Sequence, residues 1–283
     1  HLGEFGTKEL IAVAKGELVE ALPAEGTAVL NADDPLVAAM ASRTSARTLT
    51  FGYAETADVR IEAVELDDLG RPHFDLVYQR TPNPVALKGI GTHQAANAAA
   101  AASAAIALGL PIAEVTSALS LARSASPWRL EVHDRADGLT VVNDAYNANP
   151  DSMRAALETL AGISGRTGRR AVAVLGEMRE LGEASDQEHA EVGILAHRLA
   201  LDLVVVIGEG ARPTYDALVQ QRGEDGTVRH VDTAEQAVDW LNDNVAGSDV
   251  VLVKASRAAQ LEQVAQALLG PVDIAGADDE EDR

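Results

Sequence analysis

The sequence predicts an α/β protein of two domains, the second built on a parallel, doubly wound sheet, and three observations carry that reading. From residue 138 onward short apolar runs alternate with helical patterns: strands fall near 139–143, 171–175, 203–207, 228–231 and 249–253, helices near 151–162, 186–199, 210–221, 233–245 and 257–268. Such alternation places a crossover helix between successive strands and so makes them parallel. The first run, Leu139-Thr140-Val141-Val142, is apolar or β-branched at consecutive positions, as a strand covered on both faces is. Finally, 283 residues with 47% hydrophobic content exceed one typical domain and supply ample core. The expected organisation is 1–124 as the latter part of one domain, 125–270 as the doubly wound domain, and 271–283 as an acidic, disordered tail.

In the first half, Thr7 to Leu22 carries Leu10, Ile11, Val13, Ala14 and Leu18 at helical spacing, with Pro23 ending it. Lys15 lies in this helix, where a lysine between Gly16 and Glu17 ordinarily reads as a solvated surface residue. Thr27 to Leu30 reads as a strand ending at Asn31-Ala32-Asp33-Asp34, and Pro35 opens a capped helix. Between Arg47 and Leu87 alternating segments at 48–51, 59–64, 73–78 and 85–87 read as antiparallel strands joined by polar turns. Gly91 to Asn97 leads into an alanine-rich helix whose small side chains suit close packing on a sheet, and Leu110 to Leu121 is a second helix. Small residues and Pro127 mark 124–131 as a hinge, in which Trp128 and Arg129 are bulky and costly to place without purpose.

The second half opens on the stretch most dense in polar groups. After the strand, Asp144, Tyr146, Asn147 and Asn149 fall within six residues, and Asn149 then caps a helix with Pro150 at its first position. In open α/β sheets this loop lies at the carboxyl ends of the strands, where ligands bind and a carboxylate can accept from two ribose hydroxyls. The same residues equally describe an Asx-rich connecting turn. Gly176-Glu177 and Gly208-Glu209 end their strands at that edge, as do Lys254, Ser256 and Arg257, whose plainer reading is a cap on the final helix. His189 reads as a packing or capping residue. No G-x-G-x-x-G follows the first strand, so a dinucleotide site is not supported.

Composition narrows the function classes. A net charge of -21 argues against a nucleic-acid backbone as partner, since that requires a basic footprint. With no cysteine, thiolate chemistry is excluded and any metal ligand is oxygen or imidazole. No apolar run approaches transmembrane length and no charged-then-apolar leader opens the chain, which leads to the expectation of a cytoplasmic protein without membrane insertion.

Read as D-A-Y-N-A-N-P-x-S-M, residues 144–153 resemble a signature of the Mur ligase family, in the branch that adds D-alanyl-D-alanine to UDP-N-acetylmuramoyl-tripeptide. The same family is resembled by H-L-x-x-F-G with A-K-G-E at 1–17, L-N-A-D-D at 30–34, G-x-H-Q-x-x-N at 91–97, L-G-E-M-x-E-L-G at 175–182 followed by His189, and V-K-A-S-R at 253–257. The likeness runs in order from residue 1 to about residue 269.

The resemblance implies a truncated central ATP-binding domain followed by a C-terminal Rossmann-like domain, acting with Mg²⁺ as an ATP-dependent amide ligase that adds D-alanyl-D-alanine to UDP-N-acetylmuramoyl-tripeptide through an acyl phosphate. It implies that Lys15 is carbamylated and with His1 helps hold the metal, a carbamate being the form in which lysine offers oxygen to Mg²⁺. It places adenine at Asn97 and Gln94, the latter where asparagine is usual, since an amide can pair with both the ring nitrogen and the amino group. It further implies that Asn31 lines the nucleotide site, that Arg129 reaches ATP phosphates, and that Asp144 with Tyr146 and Asn147 surrounds the ribose. Asn149, Lys254, Ser256 and Arg257 receive the peptide, whose terminal carboxylate suits Lys or Arg. On residues alone Arg129 is as well read as an interdomain ion pair. The chain is expected to be a monomer, and two rivals stay open: another Mur-type or folylpolyglutamate-type ligase with different substrates, and a non-catalytic nucleotide-binding fragment. No G-x-x-x-x-G-K-[ST] segment occurs in it, so by itself it is expected to be inactive.

Overall fold

The computed structural model describes residues 7–122, 127–223 and 226–270. The metal ligand expected at His1, the domain boundary expected at 124/125 and the acidic tail lie outside the described residues. Two compact units divide the chain at residue 126, with the short segments 165–167 and 179–188 grouped with the first.

The first unit opens with α1 (Lys8–Glu20), started by the Thr7 hydroxyl, which accepts from the Leu10 amide. Then follow β1 (Thr27–Asn31), a single turn α2 (Pro35–Ala38) continued as a 3₁₀ turn to Arg43, β2 (Arg47–Gly52), β3 (Val59–Leu66), β4 (Pro72–Tyr78) and β5 (Thr81–Ala86) in one sheet of order β1-β2-β3-β4-β5. Two helices, α3 (His93–Ala107) and α4 (Ile112–Leu121), close the unit. Val59, Ile61, Phe74, Leu76 and Val85 meet Ala95, Ala98, Ala99, Ala102 and Ile106 of α3, where alanine lets the helix lie close to the sheet.

Two expectations are corrected here. The strand at 47–52 is parallel to both of its neighbours, with Thr27 opposite Arg47 and Phe51 opposite Val59, and only β3-β4-β5 is antiparallel. Side-chain alternation reports which face is buried and carries no strand direction, while the turn of helix between β1 and β2 supplies the crossover. Strand β5 also starts earlier than expected, running through Pro82 and Pro84, which is tolerated because it is an edge strand of the sheet.

Within α1, Arg43 lies across Gly16. Its guanidinium donates to the carbonyls of Ala12 and Val13 at 3.2 and 3.1 Å and to Glu20 at 2.8 Å, and a Cβ on Gly16 would sit 1.8 Å from Nη1. Glycine at this helical position is thus explained by the arginine that crosses it.

The second unit is the doubly wound sheet. It contains β6 (Glu131–Asp134), β7 (Thr140–Asp144), α5 (Pro150–Thr167), β8 (Ala171–Leu175), α6 (Ser185–Arg198), β9 (Leu203–Ile207), α7 (Arg212–Arg222), β10 (Val228–Val231), α8 (Ala234–Asn244), β11 (Val250–Lys254) and α9 (Glu262–Leu269). Strand order is β10-β9-β8-β11-β7-β6, parallel except for β6. Every residue of β7, β8, β9 and β11 is buried, which accounts for their unbroken apolar runs. The final helix starts at Glu262 rather than near 257, because a 3₁₀ turn over Arg257–Ala259 and a left-handed Gln260 (φ 52°) precede it.

At the amino ends of the strands two arginines join the sheet to its loops. Arg169 donates to the carbonyls of Gly138, Ser248 and Asp249 and to the Thr140 hydroxyl, while Arg170 pairs with the buried Asp249 at 2.6 Å. That end is therefore committed to structure, and the carboxyl ends remain for chemistry.

Candidate functional site

After stepping outward through β8, β9 and β10, the chain returns to insert β11 between β8 and β7. Ligands in open α/β sheets bind where this lateral progress reverses, at the carboxyl ends of the strands. Asp144 is the last residue of β7 and Lys254 the last of β11, and they are register partners on adjacent parallel strands. Their side chains consequently emerge on the same side of the sheet. The Lys254 ammonium donates to Asp144 Oδ2 at 2.6 Å and to the Asn147 carbonyl at 2.9 Å, and Lys254 is only 2% exposed. A lysine expected to face an incoming peptide is in this structure turned inward on the carboxylate expected to hold ribose.

The loop between β7 and α5 is shaped by its own polar groups. Asn149 caps α5: its side-chain oxygen accepts from the Ser152 amide at 2.8 Å, and the Ser152 hydroxyl accepts from the Asn149 amide at 3.0 Å. The Asn147 side chain accepts from the Ala148 amide, while Tyr146 is exposed.

Residues 127–130 lie over this loop. Trp128 (φ 61°) and Leu130 (φ 49°) adopt left-handed backbone conformations that L-residues rarely hold. Two hydrogen bonds fix them: the Tyr146 amide donates to the Trp128 carbonyl at 3.0 Å, and the Leu130 amide donates to Asp144 Oδ1 at 3.2 Å. Two arginines rest on aromatic faces here, Arg129 on Tyr146 at 4.1 Å and Arg257 on Trp128 at 4.2 Å. Arg257 also pairs with Glu262 at 2.6 Å. The neighbouring Ser256 hydroxyl is buried and, among the described residues, has no hydrogen-bond partner, a condition that costs about 1–3 kcal/mol and that a bound polar group would relieve.

The structure thus brings Arg129, Asp144, Tyr146, Asn147, Asn149, Lys254, Ser256 and Arg257 into one unit at one sheet edge. Two further members belong to this edge: Trp128, whose bulk in a linker was its signal, as a platform for Arg257, and Glu262, which no local pattern marks, as the arginine's counter-ion. His189 is buried and its Nε2 accepts from the Met178 amide at 2.9 Å, a structural bond that fixes the loop after β8.

The remaining candidates belong to the first unit. Asn31 ends β1 and accepts from the Asp33 amide at 2.9 Å. Gln94 and Asn97 share a face of α3's first turns, with the Asn97 amide donating to Gln94 Oε1 at 3.3 Å. Asp33 does more than end a turn: it accepts from the amides of Tyr53 and Ala54, tying the ends of β1 and β2 together. Burial, and then the Asp33 carboxylate, push the Tyr53 hydroxyl above its ordinary pKa. Lys15 is exposed on α1. Among the described residues no group of three His, Asp or Glu side chains converges to hold a metal, and no helix is long and apolar enough to cross a membrane.

Comparison with known proteins agrees with this division. Residues 1–105 match the Mur ligase middle domain and residues 128–257 the Mur ligase, glutamate ligase domain. The UDP-N-acetylmuramoyl-tripeptide--D-alanyl-D-alanine ligase of Mycobacterium tuberculosis (strain CDC 1551 / Oshkosh) is 44% identical over 284 residues, covering 95% of this chain and 56% of that protein. A crystal structure of MurF from Acinetobacter baumannii superposes with a TM-score of 0.82 at 29% identity, covering 95% of this chain and 57% of that one. The MurF ligase of Thermotoga maritima in complex with ADP does so with a TM-score of 0.76 at 28% identity, covering 93% and 58%. The chain spans a little over half the length of the relatives it matches. With both domain matches in order and the fold shared, the chain belongs to the Mur ligase family, of which it carries middle-domain and glutamate ligase-domain sequence.

Proposed function

We propose that this chain forms the nucleotide- and peptide-handling part of an ATP-dependent amide ligase that joins D-alanyl-D-alanine to UDP-N-acetylmuramoyl-tripeptide. The observation that carries the reading is the convergence of Asp144, Arg129, Ser256 and Arg257 where the second sheet reverses, in a chain 44% identical to a ligase of that name. A tripeptide carboxylate oxygen attacks the γ-phosphorus of ATP, the bond to the β-phosphate oxygen breaks, and ADP leaves. The amine of D-alanyl-D-alanine then attacks the acyl phosphate, a tetrahedral intermediate forms, and it collapses with loss of phosphate and of the amine's proton. Such chemistry asks a protein chiefly for positioning and charge neutralisation.

The residues divide that work. Asn97 and Gln94 serve adenine, Asn31 lines the same site, and Asp144 serves the ribose hydroxyls, with Tyr146 and Asn147 beside it and Lys254 holding its carboxylate in place. Arg129 can leave the face of Tyr146 to neutralise phosphate oxygens. Ser256 and Arg257 take the peptide carboxylate, with Asn149 shaping the loop opposite. A carbamylated Lys15, which would offer oxygen, and the imidazole of His1 would hold Mg²⁺ together with phosphates and water, and the ion would supply charge neutralisation at the phosphates.

ADP titration by calorimetry tests the nucleotide assignment. Asp144→Asn keeps the size of the side chain but weakens acceptance from the ribose hydroxyls, so affinity should fall by about tenfold, the loss of one good charge-assisted hydrogen bond. Unchanged ADP affinity in a folded variant would remove Asp144 from the ribose.

A further inference from the structure

We infer that Trp128 is a positioning residue for peptide recognition: its indole face holds the Arg257 guanidinium so that the arginine's edge stays available to a carboxylate. The inference rests on the reading of Arg257 given above and adds the group that aims it.

The Arg257 guanidinium carbon lies 4.2 Å from the centroid of the Trp128 ring, and a guanidinium attracted to a ring face in this way does not need to spend its N–H donors on hydrogen bonds there. One donor, on Nη1, goes to Glu262 Oε1 at 2.6 Å, which fixes rotation about the stem. The planar fork has five N–H groups, and among the described residues Glu262 is the only side-chain hydrogen-bond partner shown for it, so donors remain for bidentate binding of a carboxylate. A lysine or an aliphatic neighbour could not combine holding and availability in this way.

The backbone supplies independent support. Trp128 sits at φ 61°, where glycine is at ease and a large side chain is strained. Residues kept in such conformations cluster at functional sites, where the surrounding structure holds them. Here the holding bond comes from the Tyr146 amide to the Trp128 carbonyl, inside the loop that also carries Asp144. Beside the arginine, the Ser256 hydroxyl, buried and without a partner among the described residues, is a second group suited to a carboxylate oxygen. The ligand class is therefore a short peptide with a free terminal carboxylate.

The chain has two tryptophans, so a Trp240→Phe background leaves Trp128 as the sole indole reporter. In that background D-alanyl-D-alanine should change Trp128 emission saturably, and calorimetry then compares variants. Trp128→Gly relieves the backbone and should leave the melting temperature equal or higher while weakening the dipeptide about tenfold; Trp128→Phe, which keeps a π face, should bind within about threefold of the parent. Arg257→Ala should weaken it at least as much as Trp128→Gly. If Arg257→Ala weakens binding and Trp128→Gly does not, Trp128 has no positioning role. If affinity falls only together with melting temperature and Trp128→Phe fails to restore it, Trp128 belongs to the fold alone. Failure of the parent to bind, or indifference to Arg257→Ala, overturns the reading of Arg257 and this inference with it.

Discussion

Asp144 and Lys254 are 110 positions apart in sequence and 2.6 Å apart in the sheet, and their pairing changes what a substitution at either would do. Read from its motif alone, Asp144 is a ribose ligand whose removal spares the fold. Buried beside Lys254, it is also the counter-ion of an ammonium that is 2% exposed. Removing one partner of a buried pair leaves the other charge uncompensated, at a penalty of about 3–5 kcal/mol, whereas replacing both is far milder. Urea denaturation of Lys254→Met should therefore show a loss of that order, and the double variant Asp144→Asn/Lys254→Met should recover most of it. Strict additivity of the two single losses would mean that the pair contributes nothing. The motif was legible because its residues are neighbours in sequence; the ion pair was not, because strand register, set by the order in which β11 enters the sheet, is a long-range property. The same holds for Arg43 over Gly16 and for Arg257 on Trp128.

At the scale of elements, what is local was readable and what depends on neighbours was not. The β7-loop-α5 unit follows from its own residues, since Asn149 caps, Pro150 fits the first turn and Gly168 (φ 70°) ends the helix. The direction of β2 could not be read, as pairing partners decide it. The β6-β7 connection illustrates local electrostatics: Arg135 donates to both oxygens of Asp137 at 2.8 and 2.7 Å, and that bond, aided by the Leu139 amide and the charge of Arg135, holds the Asp137 carboxyl down at about 2. A carboxyl with a depressed folded pKa contributes stability that is present above its unfolded value of 3.8 and disappears as pH falls through about 2. Asp137→Asn should accordingly be slightly less stable than the parent at neutral pH, with the gap narrowing between pH 4 and 2. Because the pair is exposed, salt should shrink that gap as well. A gap independent of both pH and salt would assign the loss to something other than this ion pair.

The 283 residues contain no G-x-x-x-x-G-K-[ST] segment, whose backbone amides and lysine hold the β- and γ-phosphates. Loss of even one preorganised donor of this type costs about 3 kcal/mol of transition-state stabilisation. Assayed with ATP, Mg²⁺, the UDP-linked tripeptide and D-alanyl-D-alanine, this chain should release no phosphate above background, and substrate-dependent release would show that the phosphate site is misplaced. The two-domain α/β architecture was readable at this scale because alternation of strand and helix survives any local misreading. The second sheet has short borders. Its outer strands, β6 and β10, are four residues each, with His133 and Asp134 exposed on one and Arg229 on the other. An incoming strand would find a short ladder and a charged border in place of a long apolar template, so the valine-rich centre is shielded from the edge-to-edge stacking that seeds fibrils.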